Sequence, residues 1–194
     1  MSEGELLGRA RIVELLSELG RRLDRLGVHA EIYVVGGGAM ALAYNRERVT
    51  RDIDAIFEPK ATVYAEARRM ADELGLPPDW LNDGVKAFLP ASSDPRARTA
   101  LTAPGVSVGV ASAEYLFAMK AAAARIEEDT EDLRLLAVEL GITSADQALT
   151  LLERFYERAR LTVKSQLVLE VLFDEHEPAG EGDPSAASPR IGER

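Results

Sequence analysis

Cysteine is absent from the 194 residues, so neither a disulfide nor a thiolate metal site can form. Histidine occurs only as His29 and His176, too few for an imidazole-rich zinc centre. Any metal site must be built from oxygen, and oxygen ligands favour Mg²⁺ or Mn²⁺. No run of about eighteen apolar residues and no signal-peptide pattern occurs, which sets the expectation of a cytoplasmic protein. Basic residues are in deficit, 23 Lys and Arg against 33 Asp and Glu, for a net charge of −10. That balance argues against a general nucleic-acid coat. Six of the acids fall in the last 21 residues (Asp174, Glu175, Glu177, Glu181, Asp183 and Glu193), and the rest of the chain is still acidic. Nucleic acid would therefore have to be held by a local patch. The composition, 46% hydrophobic and 29% charged, is that of one globular domain, or of a small domain with a helical appendage.

Apolar residues at helical spacing (Leu6, Ile12, Leu15, Leu16, Leu19, Leu23, Leu26) predict an amphipathic helix stopped by Gly27. A β-branched and aromatic strand is expected over residues 31–35, a turn at Gly36–Gly38, and a short small-residue helix over 39–44. A second strand is predicted over 50–57, a helix over 61–74 ending at Gly75, and a third strand over 106–110. Residues 80–95 look irregular. Ser112 is placed to cap a helix from Ala113 to about Glu127, with further helices near 130–140, 144–160 and 163–173. Ser144 and Gln147 have capping-box spacing. The divisions are an αβ core with its N-terminal helix over 1–111, a helical half over 112–175, and an acidic Gly/Pro/Ser-rich tail over 176–194 that is expected to be disordered.

The segment from Val34 to Phe57, VVGGGAMALAYNRERVTRDIDAIF, carries the chemistry. Glycines between a strand and a helix let backbone N–H groups approach a phosphate, although three glycines alone are also a plain tight turn. Asp52 and Asp54, two residues apart in an apolar strand, would share one face and repel each other. Strands are depleted in Asp, so the pair is either a solvated or charge-blunted edge or a site where a divalent cation bridges carboxylates to phosphates. The pattern also fits G-x-G-x-x-A of dinucleotide sites loosely. That reading fails on the small number of strands and on the second aspartate.

Gly36-Gly37 followed by Asp52-Ile53-Asp54 resembles the signature of DNA polymerase β-like nucleotidyltransferases, a Gly-Gly or Gly-Ser turn and then Asp-x-Asp on the next strand. The longer string resembles bacterial minimal nucleotidyltransferases of the AbiEii and MenT toxin type. The resemblance implies an α/β (α+β) nucleotidyltransferase fold, a small mixed sheet flanked by helices with a C-terminal helical half. It implies Mg²⁺ or Mn²⁺ held by Asp52 and Asp54, phosphate at Gly36 and Gly37, and transfer of a nucleoside monophosphate from a triphosphate to a hydroxyl. The tRNA 3′ end is an implied acceptor, and a cognate antitoxin an implied partner. In such relatives Leu-x-x-Met-Lys, then Arg, then Asp-x-x-Asp supplies site groups. Here these are Leu116, Met119, Lys120, Arg125, Asp129 and Asp132, implying Lys120 as a phosphate ligand and Asp132 as a further acidic group. Thr50 and Arg51 are implied at the site mouth.

Read from the residues, Lys120 is the only charge in YLFAMKAAAA. It either snorkels to water or finds an anion. Arg125 and Asp129 have the spacing of a helical ion pair. Arg46, Arg48 and Arg51 either form a basic patch or neutralise the aspartates. Polymerase-like relatives often carry a third carboxylate on the next core strand, and residues 106–110 have none, leaving Asp83, Glu58 or Asp132 as substitutes. That gap keeps open a second possibility, a catalytically degenerate nucleotidyltransferase-fold binding module.

Overall fold

The computed structural model describes residues 6–158 and 161–174. Five strands form one mixed sheet in the order β3-β2-β1-β5-β4: β1 Ala30–Val34, β2 Ile53–Glu58, β3 Leu81–Asn82, β4 Arg98–Ala103 and β5 Val106–Val110. β1 runs antiparallel to β2 and parallel to β5, β3 is parallel to β2, and β4 is antiparallel to β5. The α/β (α+β) class is thus observed, with two more strands than the sequence patterns show.

Register separates core from chemistry. Ile32 lies opposite Phe57 and Val108, and Val34 opposite Ala55 and Val110. All six are buried, each contributing about 1.5–3 kcal/mol if large. Helices α1 (Arg9–Arg25) and α3 (Lys60–Leu74) cover this face with Leu15, Leu16, Leu19, Leu23, Val63 and Met70. The approach of α1 is close: a Cβ on Gly20 would lie 2.5 Å from Val106 Cγ1 and 2.6 Å from the Pro104 carbonyl. Because strand side chains alternate, the register that buries Ile53 and Ala55 turns Asp54 to the opposite face.

On that side lie α2 (Gly36–Ala39), which passes into a π turn over Met40–Tyr44, and α4 (Ala113–Ala123). Tyr33 of β1 meets Tyr115 of α4 edge to face at 6.1 Å. Ser112 caps α4 by accepting from Tyr115 N–H at 3.2 Å. Almost every side of α4 is apolar, as suits a helix enclosed by α2 and by α5 (Ile126–Leu140), α6 (Ala145–Phe155) and α7 (Val163–Asp174).

Several expected boundaries move. The first helix starts at Arg9, because Leu7 instead forms a two-way bridge with Thr50, N–H to carbonyl at 2.7 and 3.0 Å. The second strand starts at Ile53, so Thr50 lies in the bridge to Leu7, and Arg51 and Asp52 form a bend before the strand, leaving only Asp54 of the aspartate pair on it. α4 ends at Ala123 rather than Glu127, because Ala124 turns left-handed at φ 53° and α5 begins at Ile126. α6 stops at Phe155. Ser144 does accept from Gln147 N–H, at 3.3 Å, while the Gln147 side chain reaches Thr143 N–H at 2.9 Å. The expected tail lies outside the described residues. Among the described residues no single helix is long and apolar enough to cross a membrane.

Candidate active site

The glycines and aspartates, distant in sequence, touch. Val35 N–H donates to the Asp54 carbonyl at 2.9 Å, locking the end of β1 to the start of β2. The chain then turns through Gly36 at φ +58°, where a Cβ would stand 3.1 Å from Asp54 Oδ2. A Cβ on Gly37 would stand 2.8 Å from Thr50 Oγ1. Both glycines therefore leave a bare-backbone cradle against the carboxylate and the hydroxyl. The glycines, expected as a turn before a helix over 39–44, instead form its first turn: a single α turn over Gly36–Ala39 runs directly into the π turn over Met40–Tyr44.

Asp52 and Asp54 have no ion-pair partner among the described residues, although both are partly buried. Burial, reinforced by the Asp52 charge and opposed by Arg125 and Lys120, raises the Asp54 carboxyl above its ordinary value. Such a pair has the donor chemistry for one hard cation, because Mg²⁺ is commonly held by one or two carboxylates with phosphate oxygens and water completing the shell. No group of three His, Cys, Asp or Glu side chains that could hold a metal occurs among the described residues. The fit rests on the two carboxylates and the cradle beside them.

Two clefts meet at Asp54. The smaller, about 310 Å³, is lined by Gly36, Asp54, Gly84, Val85, Leu116 and Met119, with Lys120, Ala123 and Arg125. The larger, about 700 Å³, brings Gly37, Thr50, Arg51, Asp52 and Asp54 opposite Lys120, Arg125 and the acidic first turn of α5. The expected Gly36, Gly37, Thr50, Arg51, Asp52, Asp54 and Lys120 thus border one connected recess.

Lys120 is 5% exposed, and its ammonium donates to Asp129 Oδ1 at 2.5 Å and pairs with Asp132 Oδ2 at 2.9 Å. An ammonium has three donors, so one N–H remains for the cleft that Lys120 borders. Asp132 is 2% exposed, lines neither cleft, and also pairs with Arg48 at 3.3 Å. Arg125 joins Asp129 at 3.3 Å. The expected helical pair of Arg125 and Asp129 is therefore present, as part of a buried cluster. Arg48 serves Asp132, Arg51 is exposed at the larger cleft, and Arg46 borders neither.

The substitute third acids are engaged elsewhere. Asp83 accepts from Tyr64 at 2.5 Å and pairs with Lys60 at 2.6 Å and Lys86 at 2.8 Å, which hold its carboxyl far below the usual range. Glu58 sits at the far end of β2 opposite Glu31. β5 does not neighbour β2 at all, since β1 lies between them. The neighbour is β3, where Asn82 is in register with Asp54 and donates from Nδ2 to Asp52 Oδ2 at 2.8 Å. Sequence reasoning missed Asn82, because a two-residue strand leaves no pattern.

Residues 10–171 match the family described as a nucleotidyltransferase of unknown function (DUF6036). The chain belongs to this family. The match spans both walls of the recess and supports transferase chemistry at the family level. Neither curated proteins nor solved structures give a match.

Proposed function

We propose that this member of the nucleotidyltransferase family uses Mg²⁺, or Mn²⁺, to transfer a nucleoside monophosphate from a nucleoside triphosphate to a hydroxyl acceptor. One observation carries the reading: two partly buried carboxylates without a cationic partner, pressed against bare glycine backbone at the junction of two clefts. Asp52 and Asp54 would hold the cation, which supplies charge neutralisation at the phosphates and acidifies a bound hydroxyl. Gly36 and Gly37 offer backbone to the triphosphate, and the free N–H of Lys120 faces its charge. The acceptor oxygen would form a bond to the α-phosphorus as its proton passes to solvent, the bond from that phosphorus to the bridging oxygen would break, and pyrophosphate would leave with that electron pair. The apolar Leu116, Met119 and Val85 suit the nucleoside, and the larger cleft suits the acceptor. The tRNA 3′ end as acceptor, and a toxin paired with an antitoxin, follow from the resemblance to AbiEii and MenT proteins. Arg51 and Arg125 at the larger cleft are the local basic groups that such an acceptor needs.

The test incubates the protein with each labelled triphosphate and total tRNA in Mg²⁺. Transfer is expected with at least one triphosphate, and Asp54→Ala should lower it by about a thousandfold or more with the melting temperature retained. Undiminished transfer by that variant would overturn the assignment. A second reading, a binding module on the same fold, is favoured by the absence, among the described residues, of a third carboxylate grouped with the pair. Calorimetry separates the two: triphosphate binding that requires Mg²⁺ supports the enzyme, and no binding supports the module.

A further inference from the structure

Asn82 occupies the strand position beside Asp54, and its amide is fixed at both ends. Oδ1 accepts from Gly84 N–H at 3.0 Å, while Nδ2 donates to Asp52 Oδ2 at 2.8 Å and to the Asp79 carbonyl at 3.3 Å. A flipped amide would set oxygen against the Asp52 carboxylate and NH₂ against Gly84 N–H, so the hydrogen bonds allow one orientation. Two consequences follow. One oxygen of Asp52 is occupied, which fixes the carboxylate and leaves its second oxygen for a ligand. The position next to Asp54 also presents an N–H donor, which cannot ligate a cation. Two metal ions about 3.5–4 Å apart need a shared set of anionic ligands, whereas among the described residues no third Asp, Glu or His side chain groups with Asp52 and Asp54 to hold a metal, the acids Glu127, Glu128, Asp129 and Glu131 lining the opposite wall of the larger cleft.

We propose that Asn82 is a positioning residue that orients Asp52 and restricts the site to a single protein-held divalent cation. The proposal rests on Asp52 and Asp54 being the metal site. An aspartate at position 82 would meet Asp52 as a like charge, so Asn82→Asp should destabilise the metal-free protein and tighten cation binding. Losing the amide, as in Asn82→Ser, should leave the stoichiometry at one and weaken it.

The experiment titrates Mn²⁺ alone into the full chain, reading free Mn²⁺ by electron paramagnetic resonance, with melting temperatures in EDTA and in Mn²⁺. Expected are one Mn²⁺ per chain for the wild type and none for Asp54→Asn. Asn82→Ser should lose about tenfold in affinity, as outer-sphere partners commonly cost. Asn82→Asp should bind about tenfold more tightly or gain a second Mn²⁺, with a lower melting temperature in EDTA that Mn²⁺ restores. Wild-type binding that Asp54→Asn abolishes but both Asn82 variants leave unchanged overturns the role of Asn82 alone. Two Mn²⁺ in the wild type overturns the single-cation claim. The same Mn²⁺ behaviour in wild type and Asp54→Asn overturns the metal site itself.

Discussion

The two walls of the recess treat charge in opposite ways. On the sheet side, Asp52 and Asp54 face the clefts with one neutral amide for company. On the helical side, Asp129 and Asp132 are 2% exposed and share Lys120, Arg48 and Arg125. Unpaired partly buried carboxylates cost stability and are kept where a ligand will neutralise them. A buried cluster whose carboxylates are ion-paired fixes geometry instead, and removing one member strands the others. Under the proposed function the first wall would receive an exchangeable cation, while the second holds α4, α5 and the Arg48 loop in place around it.

The largest test of that contrast on stability is Lys120→Met. It leaves two buried carboxylates with only the two arginines and should destabilise by about 3 kcal/mol, within the range for a broken buried pair; chemical denaturation measures it. Unchanged stability in Lys120→Met would erase the distinction between the walls.

Next comes pH. The raised Asp54 value means the folded state holds that proton more tightly than the unfolded chain. The contribution of this group to metal-free stability is therefore favourable at low pH and lost as pH rises through the raised value. Asp54→Asn should melt a few degrees higher than the wild type at neutral pH in EDTA, about what a 1 kcal/mol change gives. Mn²⁺ affinity of the wild type should fall as pH drops through the carboxylate range, since proton and cation compete for one group. A flat affinity profile would place the cation elsewhere.

The smallest effect belongs to the cradle. Gly37→Ala sets a methyl 2.8 Å from Thr50 Oγ1, so Thr50 must shift. Transfer should drop by about tenfold, in line with small misplacements in active sites, and the additional change Thr50→Ser should not restore it, because the hydroxyl is the clashing atom. Steady-state transfer rates read the outcome.

How much of this was legible in the sequence follows from where each signal lives. Gly75 marked the end of α3, Ser112 and Ser144 capped as their types predict, and alternation in β5 was visible, because these are local effects. The closeness of Gly36 to Asp54 was implied by the motif, and the positive φ at Gly36 shows why glycine is needed there. β3 and β4 were not visible: one has two residues, and the other is an exposed edge with an irregularity between Thr99 and Leu101. The isolation of Lys120 in an apolar run left two outcomes, snorkelling to water or pairing with an anion, and the structure shows the second. That the anions are Asp129 and Asp132 depends on the chain reversing after α4, which no residue type announced.

That reversal is made by Ala124, at φ 53° with its side chain buried. An alanine held left-handed costs roughly 1–2 kcal/mol. The acidic cluster thus acts as a clasp on a bent spring: it closes α5 over Lys120 against a backbone that would relax open. Any change that weakens the clasp, such as loss of the Lys120 ammonium that both carboxylates share, would loosen the helical wall at this corner first, while the sheet and its aspartates stayed folded.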